Sequence, residues 1–96
     1  MIRPYKIAEI VHSGRKGLRG EAVTAKKYKG VVGSTVLFDI NDICQFGSMR
    51  FLFKNHPFYD CWYTSEVLST IIDNDRTVYV ETANSIYAFE PLFEED

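Results

Sequence analysis

T-V-Y-V-E-T-A-N-S-I-Y-A-F-E, Thr77 to Glu90, decides the fold. Val78, Val80, Thr82, Ile86, Tyr87 and Phe89 are β-branched or aromatic, the side chains that suit a pleated, half-buried surface. Asn84 tolerates a positive φ, which a two-residue hairpin turn calls for, so the reading places Ala83 and Asn84 in the turn. The register then pairs Thr82 with Ser85, Glu81 with Ile86, Val80 with Tyr87, Tyr79 with Ala88, Val78 with Phe89 and Thr77 with Glu90. Side chains alternate faces along a strand. Val78, Val80, Tyr87 and Phe89 therefore share a core face, and Thr77, Tyr79, Glu81, Ile86, Ala88 and Glu90 share a mixed outer one. A slip of one residue would scramble this sorting.

Working outward, E-V-L-S-T-I-I (Glu66 to Ile72) and the turn Asp73-Asn74-Asp75-Arg76 extend the hairpin to a three-stranded meander. With Asn74-Asp75 at the tip, Val67 faces Thr82 and Ile71 faces Val78. Val67 and Ile71 join the core face; Leu68, Thr70 and Ile72 join the outer one. A short helix capped by Ser65 competes over Ser65 to Ile72, but Val, Thr and Ile are weak helix formers. Further upstream, Tyr5 to His12, Glu21 to Tyr28, Ser34 to Ile40 and Ser48 to Lys54 read as strands. Pro4 sits where a missing N–H is harmless. Tyr5, Ile7 and Val11 share a side with Glu9, an imperfect alternation that burial on both faces would explain. Val36, Phe38 and Ile40 share a face, as do Met49, Phe51 and Phe53. Asn41 to Phe46 has room for one helical turn, capped by Asn41 or Asp39 and ended by Gly47. Asn55 to Tyr63, N-H-P-F-Y-D-C-W-Y, is aromatic and irregular around Pro57. The expected fold is mostly β: a small antiparallel barrel or strongly curved sheet of about six to seven strands, with a C-terminal meander and at most one short helix.

At 96 residues with 46% hydrophobic and 15% aromatic side chains, residues 1–96 form one domain with ample core, 93–96 reading as a disordered acidic tail. No apolar run approaches the ~18 residues of a membrane span. Nothing in Met1 to Tyr5 resembles a signal-peptide apolar region, so a cytoplasmic location is expected. Cys44 and Cys61 then read as reduced thiols. The net charge of −2 conceals a segregation: residues 1–30 carry eight basic and two acidic side chains, residues 31–96 three and eleven. Either the basic third meets a polyanion or the two parts pair within one small fold.

The basic third holds S-G-R-K-G-L-R-G, Ser13 to Gly20, with glycines every third residue and Arg15, Lys16 and Arg19 between them. Such a loop lets backbone approach a ligand and attracts phosphate. It has neither P-loop nor dinucleotide spacing. Val11 to Val23, with Lys16-Gly17-Leu18-Arg19-Gly20 at its centre, resembles a KOW motif, though the flanking spacings depart by one residue. That resemblance implies a small β-barrel that touches RNA. Trp62 to Val67 followed by Thr82 to Tyr87 is similar to small uncharacterised proteins of prophages and mobile elements of Gram-positive bacteria, which implies no particular activity.

Catalytic chemistry finds little purchase. His12, Cys44, His56 and Cys61 lack the close pairing of a structural zinc site, so no metal and no cofactor is expected. Asp60 beside Cys61 would raise the thiol pKa and oppose nucleophilic use. Asp73, Asp75, Asp39 and Asp42 each have a turn or cap to serve. The protein therefore reads as a non-enzymatic binding module with two readings of its partner. One is a protein–protein adaptor or inhibitor using the outer meander face, with Leu68, Ile72, Tyr79 and Ile86 as contact residues and a homodimer as one form of it. The other is nucleic-acid binding through Arg15, Lys16, Arg19, Lys26, Lys27 and Lys29, with aromatics such as Tyr28 for stacking.

Overall fold

A computed structural model describes residues 1–12 and 30–93, with His12 as backbone only. Six strands follow in order: β1 Arg3–His12, β2 Thr35–Phe38, β3 Ser48–Phe53, β4 Cys61–Ile72, β5 Val78–Thr82 and β6 Ser85–Pro91. Each pairs antiparallel with the next, and β6 returns to β1 to close a barrel. Closure removes the exposed edges that an open sheet would leave. The only helical segment among the described residues is a 3₁₀ turn, Ile40–Asp42, capped by Asp39, whose Oδ1 accepts from the Asn41 N–H at 2.9 Å. It stops at Asp42, short of the expected Phe46. No helix among the described residues is long and apolar enough to cross a membrane. The expected strand over Glu21 to Tyr28, the basic loop and nearly all of the KOW-like stretch lie outside the described residues.

Alternation fills the barrel. Tyr5 and Ile7 of β1, Val36 and Phe38 of β2, Met49, Phe51 and Phe53 of β3, Val78 and Val80 of β5, and Tyr87 and Phe89 of β6 point inward and form one buried cluster. At its centre Phe89 meets Phe38 edge-on at 4.9 Å, Phe51 edge-on at 5.5 Å and Tyr87 in a stack at 5.8 Å between ring centroids. Val31, from the Gly30–Gly33 turn, is buried with them. That turn is tied to β1 by the Gly33 N–H donating to the Ile7 carbonyl at 2.7 Å, with Gly33 at φ +95°, a conformation that suits glycine.

The β5–β6 register is the expected one, Val78 with Phe89 through Glu81 with Ile86. Its turn is closed differently. Asn84 has no positive φ. Instead the buried Thr82 hydroxyl donates to the Ser85 carbonyl at 2.9 Å and accepts from the Ser85 N–H at 3.1 Å. Strand β4 holds the tip, with the Ala83 N–H on the Glu66 carbonyl and the Asn84 N–H on Ser65 Oγ.

Irregularities in β1 and β4 overturn three expectations. The register of β1 against β6 shifts between Ile7 and Glu9. This bulge turns Ile10 toward the core and Val11 outward, so the broken alternation of β1 reflects a bulge rather than two-sided burial. Strand β4 starts at Cys61, inside the stretch read as irregular, and runs twelve residues. Opposite Met49 it carries an extra residue, and the Thr64 hydroxyl accepts the Met49 N–H at 3.0 Å. A second shift, between Val67 and Ser69, leaves Val67 opposite Thr82 as expected but puts Ile71 opposite Tyr79 and Ile72 opposite Val78. Ile71 is therefore on the outer face, 61% exposed, and Ile72 is in the inner row. Ile72 stays exposed because β4 runs on past Ser48, where its pairing with β3 ends, so Ile72 stands at the open end of the barrel.

The β4–β5 turn has a testable defect. Asp73 Oδ1 accepts from the N–H groups of Asp75 and Thr77, and the Arg76 N–H donates to the Asp73 carbonyl. This geometry holds Arg76 at φ +68°, where an L side chain costs about 1–2 kcal/mol. Glycine escapes that strain and gives back part of it in chain entropy. Arg76→Gly is expected to raise unfolding stability by about 0.5–1 kcal/mol, read as a higher urea midpoint at unchanged slope.

Candidate functional site

The outer surface of the meander is built by cross-strand rows. Glu9, Ala88, Tyr79 and Ile71 form one row across β1, β6, β5 and β4; Val11, Ile86, Glu81 and Ser69 form the next. Tyr79 and Ile86 thus lie where the sequence places them. Ile72 does not, and Ile71 takes its position. Leu68 falls in the β4 bulge, half-buried, with its carbonyl accepting from Gln45 Nε2 at 3.1 Å. Val11, exposed at the end of β1, joins the face and is not among the nominated contacts, because the β1 bulge that turns it outward has no sequence signature. The result is an apolar strip of Val11, Ile86, Tyr79 and Ile71 among carboxylates. The charge of Asp73 raises the Tyr79 phenol above its ordinary range, with partial loss of water, a hydrogen bond to Asp73 and the charges of Asp75 and Glu9 adding to the effect. The phenol is thus a neutral donor at neutral pH.

A second surface caps one end of the barrel. Between β3 and β4, His56 Nδ1 accepts from the N–H groups of Phe58 at 3.0 Å and Tyr59 at 3.1 Å. The ring proton is therefore assigned to Nε2, which faces the Gly30 carbonyl at 3.4 Å. The rings of Phe53, His56, Tyr59 and Trp62 pack against one another at centroid distances of 4.9 to 6.2 Å. Most of the aromatic stretch is thus a plug, as a barrel end requires. Phe58 and Tyr63 are the exceptions, at 84% and 63% exposure. Phe58 borders a cleft of about 520 Å³ together with Lys54, His56, Gly30 and Gly33. His56→Ala removes the shared acceptor and is expected to speed hydrogen exchange at the Phe58 and Tyr59 amides about tenfold, the equivalent of one lost hydrogen bond of ordinary worth. His56→Asn offers a carbonyl oxygen in a similar position and should retain most of the protection.

Both ring nitrogens of His56 are engaged away from Cys61, which pairs with Leu52 in the sheet. Cys44 and Cys61 are free thiols. Among the described residues no three His, Cys, Asp or Glu side chains gather as metal ligands. Arg15, Lys16, Arg19, Lys26, Lys27 and Lys29 lie outside the described residues. No protein-family model, curated protein or solved structure matches the chain.

Proposed function

We propose that the protein is a non-enzymatic protein-binding module, an adaptor or inhibitor, whose contact surface is the outer face of β4, β5 and β6 with the end of β1. The observation that carries this reading is the strip Ile71, Tyr79, Ile86 and Val11, left outside a barrel whose core is already filled. A closed barrel gives that face no second layer of its own chain to cover it among the described residues. An apolar strip with a polar rim is the anatomy of an interface. Glu9 stands within it and Asp73 borders it, so the complementary partner offers apolar side chains flanked by lysine or arginine. Two copies face to face would oppose carboxylates, which argues for a different protein rather than a homodimer.

The test is photo-crosslinking from a benzophenone amino acid placed at Ile71 or, as a control, at Lys54. The reading predicts a discrete adduct from position 71, competed by the unlabelled protein and not by Ile71→Glu. Equal labelling from both positions, or an adduct the Ile71→Glu chain competes equally well, contradicts it.

One observation favours nucleic acid as a second reading. The Gly30 carbonyl lies against His56, beside the exposed ring of Phe58 and Lys54, and Gly30 follows Lys26, Lys27 and Lys29 directly in the sequence. Aromatic platforms beside a basic track are what single strands require. Anisotropy of labelled single-stranded RNA would then rise with protein and fall steeply with salt. Replacing Arg15, Lys16 and Arg19 by Ala would flatten that dependence; unchanged affinity would remove the loop from this reading.

A further inference from the structure

At the end of the barrel away from His56, a cleft of about 550 Å³ opens between β1, the 3₁₀ turn, the β4–β5 turn and the residues after β6. Its volume lies within the range of small-molecule sites, about 300–1,000 Å³. Tyr5, Ile40, Ile72 and Phe93 give it apolar walls, and Arg3 and Arg76 give it two guanidinium groups. Among the described residues neither guanidinium has an ion pair or a side-chain hydrogen bond. Burial and the charge of Asp39 hold the Tyr5 phenol above its ordinary range, against the opposing pull of Arg3, so the phenol stays neutral, and the Asp39 carboxylate is itself paired with the N-terminal ammonium. Arg76 is also the residue held at φ +68°, at a turn position that glycine would fill without strain. Strain kept at a cleft wall is a pointer to use.

We propose that this cleft binds a small monocarboxylate with an apolar body, its head paired with Arg3 and Arg76 and its body against Ile40, Ile72 and Phe93. Arginine is suited to carboxylates because its planar fork donates two parallel hydrogen bonds. The apolar walls account for the rest of the affinity. The site shares no residue with the proposed protein-binding strip, so either can fail without the other.

The test is a titration of the ¹⁵N-labelled full chain with decanoate and with decanol, below the micelle range of the former. The expected result is saturable shifts at Tyr5, Ile40, Ile72 and Phe93 with decanoate, and at least tenfold weaker binding of decanol. The double variant Arg3→Gln with Arg76→Gly should bind decanoate at least tenfold more weakly while the rest of its amide spectrum is retained. Because Glu94, Glu95 and Asp96 follow Phe93 in the chain, the titration is repeated on E94Q/E95Q/D96N, in which acidic side chains cannot compete. Absence of saturable shifts in both chains, equal binding of decanol, or undiminished binding by the double variant overturns the proposal.

Discussion

Phe89→Ala is expected to lower the unfolding free energy by about 3–5 kcal/mol, the largest loss from a single substitution in this barrel. Phe89 is fully buried and joins rings from three strands: Phe38 of β2, Phe51 of β3 and Tyr87 of its own strand. Truncation removes the transfer energy of the ring and leaves a hole that six hydrogen-bonded strands cannot collapse to fill. A domain of this size has about 5–15 kcal/mol in total, so the variant should sit close to unfolding at room temperature. Phe89→Leu retains most of the volume and should cost less than half as much. Urea denaturation followed by circular dichroism reads both. A loss below about 1 kcal/mol for the alanine variant would contradict the central placing of this ring.

The second large effect separates two buried hydroxyls three residues apart. Thr82 Oγ1 both donates to the Ser85 carbonyl and accepts from the Ser85 N–H, while Ser85 Oγ is buried with no hydrogen-bond partner among the described residues. Thr82→Val keeps the shape and orphans two backbone groups, at a cost of about 2–3 kcal/mol. Ser85→Ala removes an unsatisfied hydroxyl and should raise stability by about 1 kcal/mol. Opposite signs in the two urea midpoints are the expected result. Matching losses would mean that the Ser85 hydroxyl has a partner of its own.

The contrast between these turns and strands explains what could be read in the sequence. The β5–β6 hairpin was legible to the residue because its alternation is unbroken from Val78 to Phe89 and a slip of one residue would put Val80 and Tyr87 on opposite sides. The inward faces of β2 and β3 were legible for the same reason. Strand β4 was not. Its two register shifts interrupt the period of two, so the buried side chains Thr64 and Val67 stand three residues apart, a spacing that a bulged strand shares with a helix. Bulges depend on how neighbouring strands meet, and no local residue type announces them. The exchange of Ile71 and Ile72 follows directly, as does the displacement of Leu68 into the bulge, so of the four nominated residues Tyr79 and Ile86 lie on the outer rows. The left-handed backbone was likewise misplaced: Asn84 carries the residue type for it, yet Phe46, Asn55 and Arg76 adopt it, and of these Asn55 alone is a residue type that favours it. Phe46 is drawn there by pairing with β4, its N–H donating to the Val67 carbonyl at 2.7 Å.

Everything proposed for the outer face rests on closure, since an open sheet could fold that face against other parts of the chain. The measurement that tests closure most directly is a set of inter-strand backbone NOEs from β1 to both of its neighbours. The barrel predicts contacts between Tyr5 and Val36 on one side and between Ile10 and Tyr87 on the other, in the same molecule and at comparable intensity. Contacts from β1 to one neighbour alone would make the sheet open and return the outer face of the meander to the core.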